Sequence, residues 1–273
     1  MQAERAVSGD ARALPSERRR CIRQLAYEHG VLRVAELAER FGVSEMTIRR
    51  DLDTLERDGH VEKTFGGAVL AEPSALELDH QIRLDQRRPQ KEAIAAFAAT
   101  LVADGDTVAI DASTTGLALA ARLAPRRVTV VTNSSDIAQR LRHAECDLIM
   151  IGGFLRRATG SFVGPLALGA LEGIRVDQAF FSSAGVLIPD GYFDSDLGEI
   201  EVKRRLLAAA ARVSAMVDAS KFGRRALGRI AGLGEPDTII TDDAIESSLL
   251  AALRDHGATV RVVGLGAGRH GGG

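Results

Sequence analysis

The spacing of hydrophobic and polar positions changes near residue 90 and divides the chain into two parts. Before it, Ile48, Leu52 and Leu55 recur at i, i+4 and i+7, which is the spacing of one face of an α-helix. After it, short apolar runs alternate with longer amphipathic stretches. The pattern predicts a small helical region followed by a larger region of alternating strands and helices.

A tight pair of helices is predicted in the first part. The first helix, Val34–Phe41, is separated from the helix that carries the apolar stripe by only Gly42, Val43 and Ser44. Ser44 suits the N-cap of that second helix, because its hydroxyl can accept a free backbone N–H. Two helices joined this closely form a helix-turn-helix, which places its second helix in the DNA major groove.

The outward face of the second helix carries the candidate DNA contacts. At about 100° per residue, Arg50 and Asp53 lie opposite the apolar stripe, and Thr47 lies near the helix N-terminus. Arg50 is the main candidate, since its guanidinium can bind guanine or a phosphate. Arg49 lies on the flank, four residues after Glu45, so an ion pair and a DNA contact both remain open.

A third helix and a β-hairpin complete this part. Ser16–His29 has apolar residues at helical spacing, and residues 60–70 predict two short strands about Gly66 and Gly67. Such a hairpin is the wing of a winged helix, where Lys63 and the glycine backbone can approach phosphate. Gly-Gly is also simply a hairpin turn. The candidate DNA-binding residues are Ser44, Thr47, Arg49, Arg50, Lys63, Gly66 and Gly67.

The second part predicts a mostly parallel α/β sheet, because strands are separated by helices. The predicted strands are Thr107–Ile110, Val128–Thr132, Leu148–Ile151, Ala179–Phe181, Ser214–Val217, Thr238–Ile240 and Thr259–Val263. The predicted helices are Ala93–Ala103, Gly116–Leu123, Ile137–His143, Leu197–Ala211 and Ala244–His256. We therefore assign residues 15–70 to a DNA-binding domain, 71–89 to a linker and 90–265 to a ligand-binding domain.

Polar residues follow several of the predicted strands, where ligands of parallel sheets bind. Residues 111–115 close the first strand and open a helix, and their hydroxyl and N–H groups suit a phosphate. Asn133, Gly153 and Lys221 follow later strands, and Lys203 lies on a predicted helix. Alone each signal is weak, because Asp or Ser before a helix is usually a cap and a lone Lys is usually solvated.

Composition adds few constraints. The formal net charge of −2 gives no support for DNA binding, so any positive surface must come from clustering of basic residues. Absent tryptophan argues against RNA binding by stacking. No apolar run reaches transmembrane length, so we expect a cytoplasmic protein without a membrane partner. Cys21 and Cys146 have no metal-ligand neighbours, and we expect both to be buried and reduced. No metal or cofactor site is predicted.

Residues 16–70 resemble the N-terminal domain of DeoR-type bacterial transcriptional regulators. The resemblance is carried by Val34-Ala35-Glu36-Leu37-Ala38-Glu39-Arg40-Phe41, Val43-Ser44, Thr47-Ile48-Arg49-Arg50-Asp51-Leu52, Leu55, Gly59 and Gly66-Gly67-Ala68-Val69. The family usually has an Arg-x-His-Gly-Gly-Ala wing, whereas this chain has Lys63-Thr64-Phe65 before Gly-Gly-Ala, and Arg33 replaces a small hydroxyl residue. Lysine lacks the fork of arginine. Replacing a polar histidine by Phe65 favours packing over DNA contact.

Residues 91–263 resemble the effector domain of the same family. The resemblance rests on Asp111-x-Ser113-Thr114-Thr115, Val131-Thr132-Asn133, Gly152-Gly153, Gly164-Pro165, Val202-Lys203-Arg204, Asp218-x-Ser220-Lys221-Phe222-Gly223 and Ile240-Thr241-Asp242. That domain is similar to the ribose-5-phosphate isomerase fold, which implies a phosphorylated sugar as effector. By this resemblance Asp111 and Asn133 would hold sugar hydroxyls, Ser113, Thr114 and Thr115 would hold phosphate, and Lys203 or Lys221 would balance its charge. Gly153 completes the candidate effector residues.

The expected function is a sequence-specific DNA-binding regulator, a repressor of a sugar-catabolism operon that acts as a homo-oligomer on paired half-sites. The alternative is a sugar-phosphate isomerase with an attached DNA-binding module. That reaction needs a carboxylate base, and Asp111, Asp190, Asp194, Asp196 and Glu199 have no evident pairing in the sequence. We expect no catalysis, since likeness of fold does not carry activity. A regulator that has lost its ligand response is a third reading, against which the intact Asp111–Thr115 segment argues.

Overall fold

A computed structural model describes residues 14–29, 31–58, 60–70 and 80–265. The chain divides into two compact units, Met1–Ile82 and Arg83–Gly273. Residues 71–79 of the predicted linker, together with Gly59 of the family motif, lie outside the described residues.

The first unit is a winged helix, as the sequence predicts. Its helices are α1 (Pro15–His29), α2 (Val34–Phe41) and α3 (Glu45–Arg57), and its strands are β1 (Val31–Arg33), β2 (Val61–Thr64) and β3 (Gly67–Leu70). The strands form an antiparallel sheet in the order β1-β3-β2. The sequence analysis missed β1, which is only three residues long and pairs with a strand far along the chain.

The core of the first unit confirms the predicted apolar stripe. Ile48, Leu52 and Leu55 of α3 are buried against apolar residues of α1 and of the sheet. A buried ion pair adds to this packing, since Arg18 Nε of α1 lies 2.6 Å from Asp51 Oδ2 of α3. The orientation of α3 is therefore fixed by both apolar contacts and a charged contact.

The second unit contains the remaining elements, and its first helix begins three residues before the unit boundary. The helices are α4 (His80–Asp85), α5 (Arg88–Thr100), α6 (Thr114–Leu123), α7 (Ser135–Leu141), α8 (Pro165–Ala170), α9 (Leu197–Ala208) and α10 (Ser247–Asp255), with a short 3-10 helix at Ala219–Lys221. The strands are β4 (Thr107–Ile110), β5 (Thr129–Thr132), β6 (Asp147–Met150), β7 (Phe154–Arg156), β8 (Ser161–Val163), β9 (Val176–Phe181), β10 (Gly185–Leu187), β11 (Gly191–Asp194), β12 (Ala210–Met216), β13 (Gly228–Ala231), β14 (Thr238–Asp242) and β15 (Val260–Val263).

Seven of these strands form one parallel sheet in the order β15-β14-β12-β9-β4-β5-β6. Side chains alternate between its faces, so Val108 and Ile110 belong to one core cluster and Ala109 to another. From the centre of the sheet, β4, β5 and β6 follow one another toward one edge, and β9, β12, β14 and β15 follow one another toward the other, which makes the junction of β4 and β9 a topological switch point. Crevices at such points, beyond the carboxyl ends of the strands, are where α/β proteins bind ligands.

The predicted α/β class with a winged helix is confirmed, but short antiparallel strands had been missed. They are the hairpin β7–β8 and the three-stranded sheet β10-β11-β13. The expectation for Cys21 was wrong, since Cys21 is exposed on α1, whereas Cys146 is buried. Within the described residues, no helix combines the length and apolar character needed to cross a membrane.

Candidate functional site

The N-terminus of α3 is ordered by its own hydroxyl groups. Ser44 lies at the N-cap, where its Oγ accepts a hydrogen bond of 3.2 Å from the backbone N–H of Thr47. The two hydroxyl oxygens, Ser44 Oγ and Thr47 Oγ1, are 2.9 Å apart. The predicted cap is therefore present, and it places both hydroxyl groups at the end of α3 that would meet base edges in a major groove.

The two arginines of α3 have different surroundings. Arg49 Nη2 lies 3.1 Å from Glu45 Oε2, in an ion pair whose side chains are both more than half exposed. Arg50 is exposed and forms no ion pair within the part of the chain that the structure describes. Met46, one turn earlier, is also exposed. Arg50 thus offers an unpaired charge on the outward face of the helix.

Two side chains of the wing, Lys63 and Phe65, have surroundings that differ from those expected. Lys63 Nζ lies 2.5 Å from Asp53 Oδ1, and the hydrogen bond to that carboxylate raises the pKa of Lys63. Contact between Lys63 and a phosphate would therefore compete with this ion pair. The expectation that Phe65 packs was wrong, because its side chain is fully exposed in the tight turn between β2 and β3. Gly66 follows it in that turn with a φ of 85°.

Gly67 is required by the approach of a neighbouring strand. A Cβ atom on Gly67 would lie 2.0 Å from the carbonyl oxygen of Leu32. Close packing against β1 therefore explains why residue 67 is a glycine. The backbone of Gly67 pairs with Arg33 of β1 and with Thr64 of β2.

At the switch point of the second unit, Asp111 is held by three donors. Its Oδ1 accepts a bond of 2.6 Å from Ser113 Oγ, and its Oδ2 accepts one of 3.0 Å from the backbone N–H of Ser182. The third donor is Lys203 Nζ, 2.9 Å from Oδ2. Asp111 itself is buried, so the end of β4 is bound directly to the end of β9.

Lys203 is buried between two carboxylates. Its ammonium also donates to Asp194 Oδ2 at 2.6 Å and to the carbonyl oxygen of Ser182 at 2.8 Å. Burial alone would lower the pKa of Lys203, but the carboxylates of Asp111 and Asp194 raise it above its ordinary value. Burial alone would raise the pKa of Asp194, and the Lys203 charge instead holds it low. The single positive charge of Lys203 is therefore shared between two carboxylates, and none is left over for a phosphate.

The loop after Asp111 opens α6. Ser113 caps this helix, since its Oγ accepts a bond of 2.9 Å from the backbone N–H of Gly116. Among the described residues, the backbone N–H groups of Thr114 and Thr115 have no hydrogen-bond acceptor. The predicted phosphate loop thus combines a helix N-terminus with two unused donors, whereas the Ser113 hydroxyl is already engaged.

Three buried polar atoms without partners lie at or near the carboxyl ends of different strands of the sheet. Asn133 donates through Nδ2 to the carbonyl oxygen of Phe162 at 3.0 Å, but its Oδ1 has no partner in the described structure. Ser183 Oγ, just beyond β9, and Thr241 Oγ1, on β14, are likewise buried and unpartnered. Buried polar atoms are nearly always hydrogen-bonded, so these three are open to a ligand. Of these three residues, only Asn133 was a candidate effector residue in the sequence.

Close packing of neighbouring elements explains why residue 153 is a glycine. A Cβ atom there would lie 2.6 Å from the carbonyl oxygen of Val163 and 3.1 Å from Cβ of Ala167. The close approach of β8 and α8 accounts for this residue whether or not a ligand binds beside it.

Most of the carboxylates considered for catalysis are engaged. Glu199 Oε1 lies 2.5 Å from Arg156 Nη1 and accepts bonds of 2.6 Å from both Thr159 and Ser161. Asp196 caps α9 and lies 3.3 Å from Arg156 Nε. With Asp111 and Asp194 bound to Lys203, four of the five candidates have fixed partners that sequence spacing did not reveal. Within the described ranges, no group of three His, Cys, Asp or Glu side chains could hold a metal ion.

Comparison with known families assigns a separate domain to each unit. The DeoR-like helix-turn-helix domain matches residues 18–74, and the DeoR C terminal sensor domain matches residues 86–243. Together these matches cover most of the chain and include α3 as well as the carboxyl ends of β4, β5, β9 and β12.

Two relatives from Bacillus subtilis (strain 168) match over nearly their whole lengths. The uncharacterized HTH-type transcriptional regulator YulB is 35% identical over 92% of this chain and 98% of its own. The HTH-type transcriptional regulator IolR is 34% identical over 84% of this chain and 91% of its own.

Among solved structures, the chain is similar to ribose 5-phosphate isomerase A from Methanocaldococcus jannaschii. The TM-score is 0.37 at 18% identity, covering 48% of this chain and 53% of that one. A similarity of this size says nothing about ligand or activity.

Proposed function

The chain belongs to the DeoR family of transcriptional regulators, and from that membership we propose that it is a repressor of a sugar-catabolism operon controlled by a phosphorylated sugar. The observation that carries the proposal is the unpaired, outward-facing Arg50 on α3, in a chain whose second unit has open polar atoms at a switch point. We assign residues 15–70 to DNA binding, 71–89 to the linker and 90–265 to effector binding, with the part of the linker from Arg83 onward belonging to the second compact unit. The protein would act in the cytoplasm as a homo-oligomer.

The DNA contacts are assigned to the recognition helix first and to the wing second. Arg50 would bind a guanine or a phosphate, with the hydroxyls of Ser44 and Thr47 beside it at the N-terminus of α3. Arg49 and Lys63 would add phosphate contacts only if they leave Glu45 and Asp53. The backbone of Gly66 and Gly67 would approach a phosphate at the wing.

The effector site is assigned to the carboxyl ends of β4, β5 and β9. Asn133 Oδ1 would accept a hydrogen bond from a sugar hydroxyl, and Asp111 would hold the site in shape while it is bound to Lys203. The free N–H groups of Thr114 and Thr115 would donate to phosphate oxygens. Lys221, which forms no ion pair within the described residues, would balance the charge.

We assign this site to binding and not to catalysis. An isomerase needs a base whose proton affinity is poised for transfer, and four of the candidate carboxylates are engaged by Lys203, Arg156 or a helix cap. Turnover of pentose phosphates that disappears when Asp111 is changed would overturn this assignment.

The proposal is tested by operator binding. DNA upstream of the protein's own gene is titrated with the full chain, alone and with a panel of sugar phosphates and the matching free sugars. We expect one phosphate ester, and not its free sugar, to change the affinity, because an effector acts only through its different affinity for the two states. Binding that no compound alters would remove the effector assignment and keep the DNA assignment. Absence of DNA binding at low salt would remove both.

Phe65 offers a separate prediction about the wing. Since its ring is fully exposed at the tip, we expect Phe65→Ala to weaken operator binding by about 1 kcal/mol, part of the about 1.5–3 kcal/mol that full burial of a Phe side chain contributes. Phe154→Ala, which removes an exposed Phe from β7 of the second unit, is the matched control in the same binding assay. Equal affinities for the wild type and Phe65→Ala would show that the wing tip does not touch DNA.

A further inference from the structure

Arg83 has two buried hydrogen-bond donors without partners. Within the described residues, neither its Nε nor its Nη2 atom has an acceptor, although both are buried. These two groups form one edge of the guanidinium fork, the edge that binds two oxygens of a phosphate or carboxylate at once. Leaving buried charged donors unsatisfied is costly, so an anion that accepts from both groups would be stabilised on this edge.

Two lysines interact with Arg83. Lys91, on α5, is buried and donates a hydrogen bond through Nζ to the carbonyl oxygen of Arg83. Lys221, in the 3-10 helix after β12, is half-buried. Burial and then the charge of Lys221 lower the pKa of Lys91 to about 8, and burial also lowers the pKa of Lys221. A negative charge beside either lysine would therefore stabilise its protonated form.

The nearby carboxylates do not neutralise these cations. The negative charge of Asp218 raises the pKa of both lysines. Its Oδ1, however, accepts hydrogen bonds from the backbone N–H of Ser220 at 3.1 Å and from the Ser220 hydroxyl. The charge of Asp85 raises the pKa of Lys91 only slightly. In the described ranges, none of Arg83, Lys91 and Lys221 forms an ion pair. Three cations from three separate elements thus share one region.

This cation cluster borders the network around Lys203. Arg83 and Lys221 both interact electrostatically with Asp194, the carboxylate that Lys203 holds. Because Lys203 is occupied by Asp111 and Asp194, the charge for an anionic ligand must come from elsewhere. The cluster supplies it at the edge of the same network.

We propose that Arg83, Lys91 and Lys221 supply the positive charge that binds the phosphate group of the effector, in addition to the N–H groups of Thr114 and Thr115 assigned above, and that Arg83 holds it through the Nε–Nη2 edge of its guanidinium. This inference rests on the proposed function for the identity of the ligand. Arg83 lies in α4 and is the first residue of the second unit.

Thermal unfolding of the full chain tests the site with inorganic phosphate and with sulfate, against chloride at equal ionic strength. We expect both anions to raise the melting temperature of the wild type, and Arg83→Gln to weaken their apparent affinity at least tenfold. Arg88→Gln is the matched control, since Arg88 is exposed at the start of α5 and should leave the anion effect intact. Arg83→Lys keeps the charge but loses the fork, so it should resemble Arg83→Gln more than the wild type.

The melting temperature without anions separates a binding role from a structural one. Removing an unpaired buried charge should leave the ligand-free protein at least as stable as the wild type, whereas loss of a structural arginine would lower its melting temperature. Unchanged anion affinity in Arg83→Gln, or lower stability in the absence of anions, would overturn the proposal. The outcome is independent of operator binding, so a chain that binds phosphate through Arg83 but ignores DNA would refute only the proposed function.

Discussion

Replacement of Lys203 by methionine is expected to destabilise the second unit by about 3–5 kcal/mol, the usual cost of removing one partner from a buried charge network. Methionine keeps most of the side-chain volume but leaves Asp111 and Asp194 buried without their cation. It also removes the donor to the carbonyl oxygen of Ser182. Urea unfolding of the full chain, followed by far-UV circular dichroism, measures the change in unfolding free energy.

Two comparisons show whether charge is the cause. Lys221→Met removes a lysine without an ion pair in the described structure, so it should cost far less. Adding Asp111→Asn and Asp194→Asn to Lys203→Met should recover much of the loss, because the charges that lacked a partner are gone. If Lys203→Met has the same unfolding free energy as the wild type, the network contributes nothing to stability.

The same network predicts the pH dependence of the variant. In the wild type, Lys203 holds the folded-state pKa of Asp194 below its unfolded value, so the associated stability is present above the unfolded pKa and is lost as pH falls. Without Lys203, burial raises the folded-state pKa of Asp194, and the folded state then takes up a proton more readily than the unfolded one. The deficit of Lys203→Met should therefore shrink as the pH is lowered.

The regular elements could be predicted because their patterns are long or sharply bounded. Helix α2 and strand β4 have the bounds that the sequence predicts, and Ser44 caps α3 as expected. Strands β7, β8 and β10 could not be found, because three residues contain too little of an alternating pattern. Their formation depends on partners brought by the fold, such as the pairing of Phe154 with Val163.

The candidate site residues likewise include some that the sequence could predict and some that it could not. Residues that act through local geometry, such as Ser113 at the start of α6, were recognisable from spacing. The partners of Lys203 were not, because Asp111 follows a strand that is distant in the sequence and only the fold brings the two together. Arg83 was missed for a different reason, since it lies in a charged stretch that has the composition of a solvated linker. Only its burial distinguishes it from neighbours such as Arg87.

Arg50→Ala is expected to weaken operator binding by about 1–3 kcal/mol, the range for a bidentate contact to a base. Arg50 is exposed on α3 and has no ion pair to break within the described residues, so its full donor set is available to DNA. Arg49→Ala should cost less, because in the wild type Arg49 must first leave Glu45. Fluorescence anisotropy with labelled operator DNA measures all three affinities.

Arg57→Ala is the matched control for charge, since Arg57 lies in the last turn of the same helix and is also exposed. Both substitutions remove one positive charge from α3, but only Arg50 is close to the end of the helix that reads bases. If Arg50 reads a base, its variant should lose discrimination between operator and unrelated DNA while keeping the wild-type dependence on salt. If it binds a phosphate, affinity for both DNAs should fall together and the salt dependence should decrease by about one phosphate contact. Equal losses in Arg50→Ala and Arg57→Ala would mean that α3 attracts DNA only through its overall charge, and the recognition role would pass to Ser44, Thr47 and the wing.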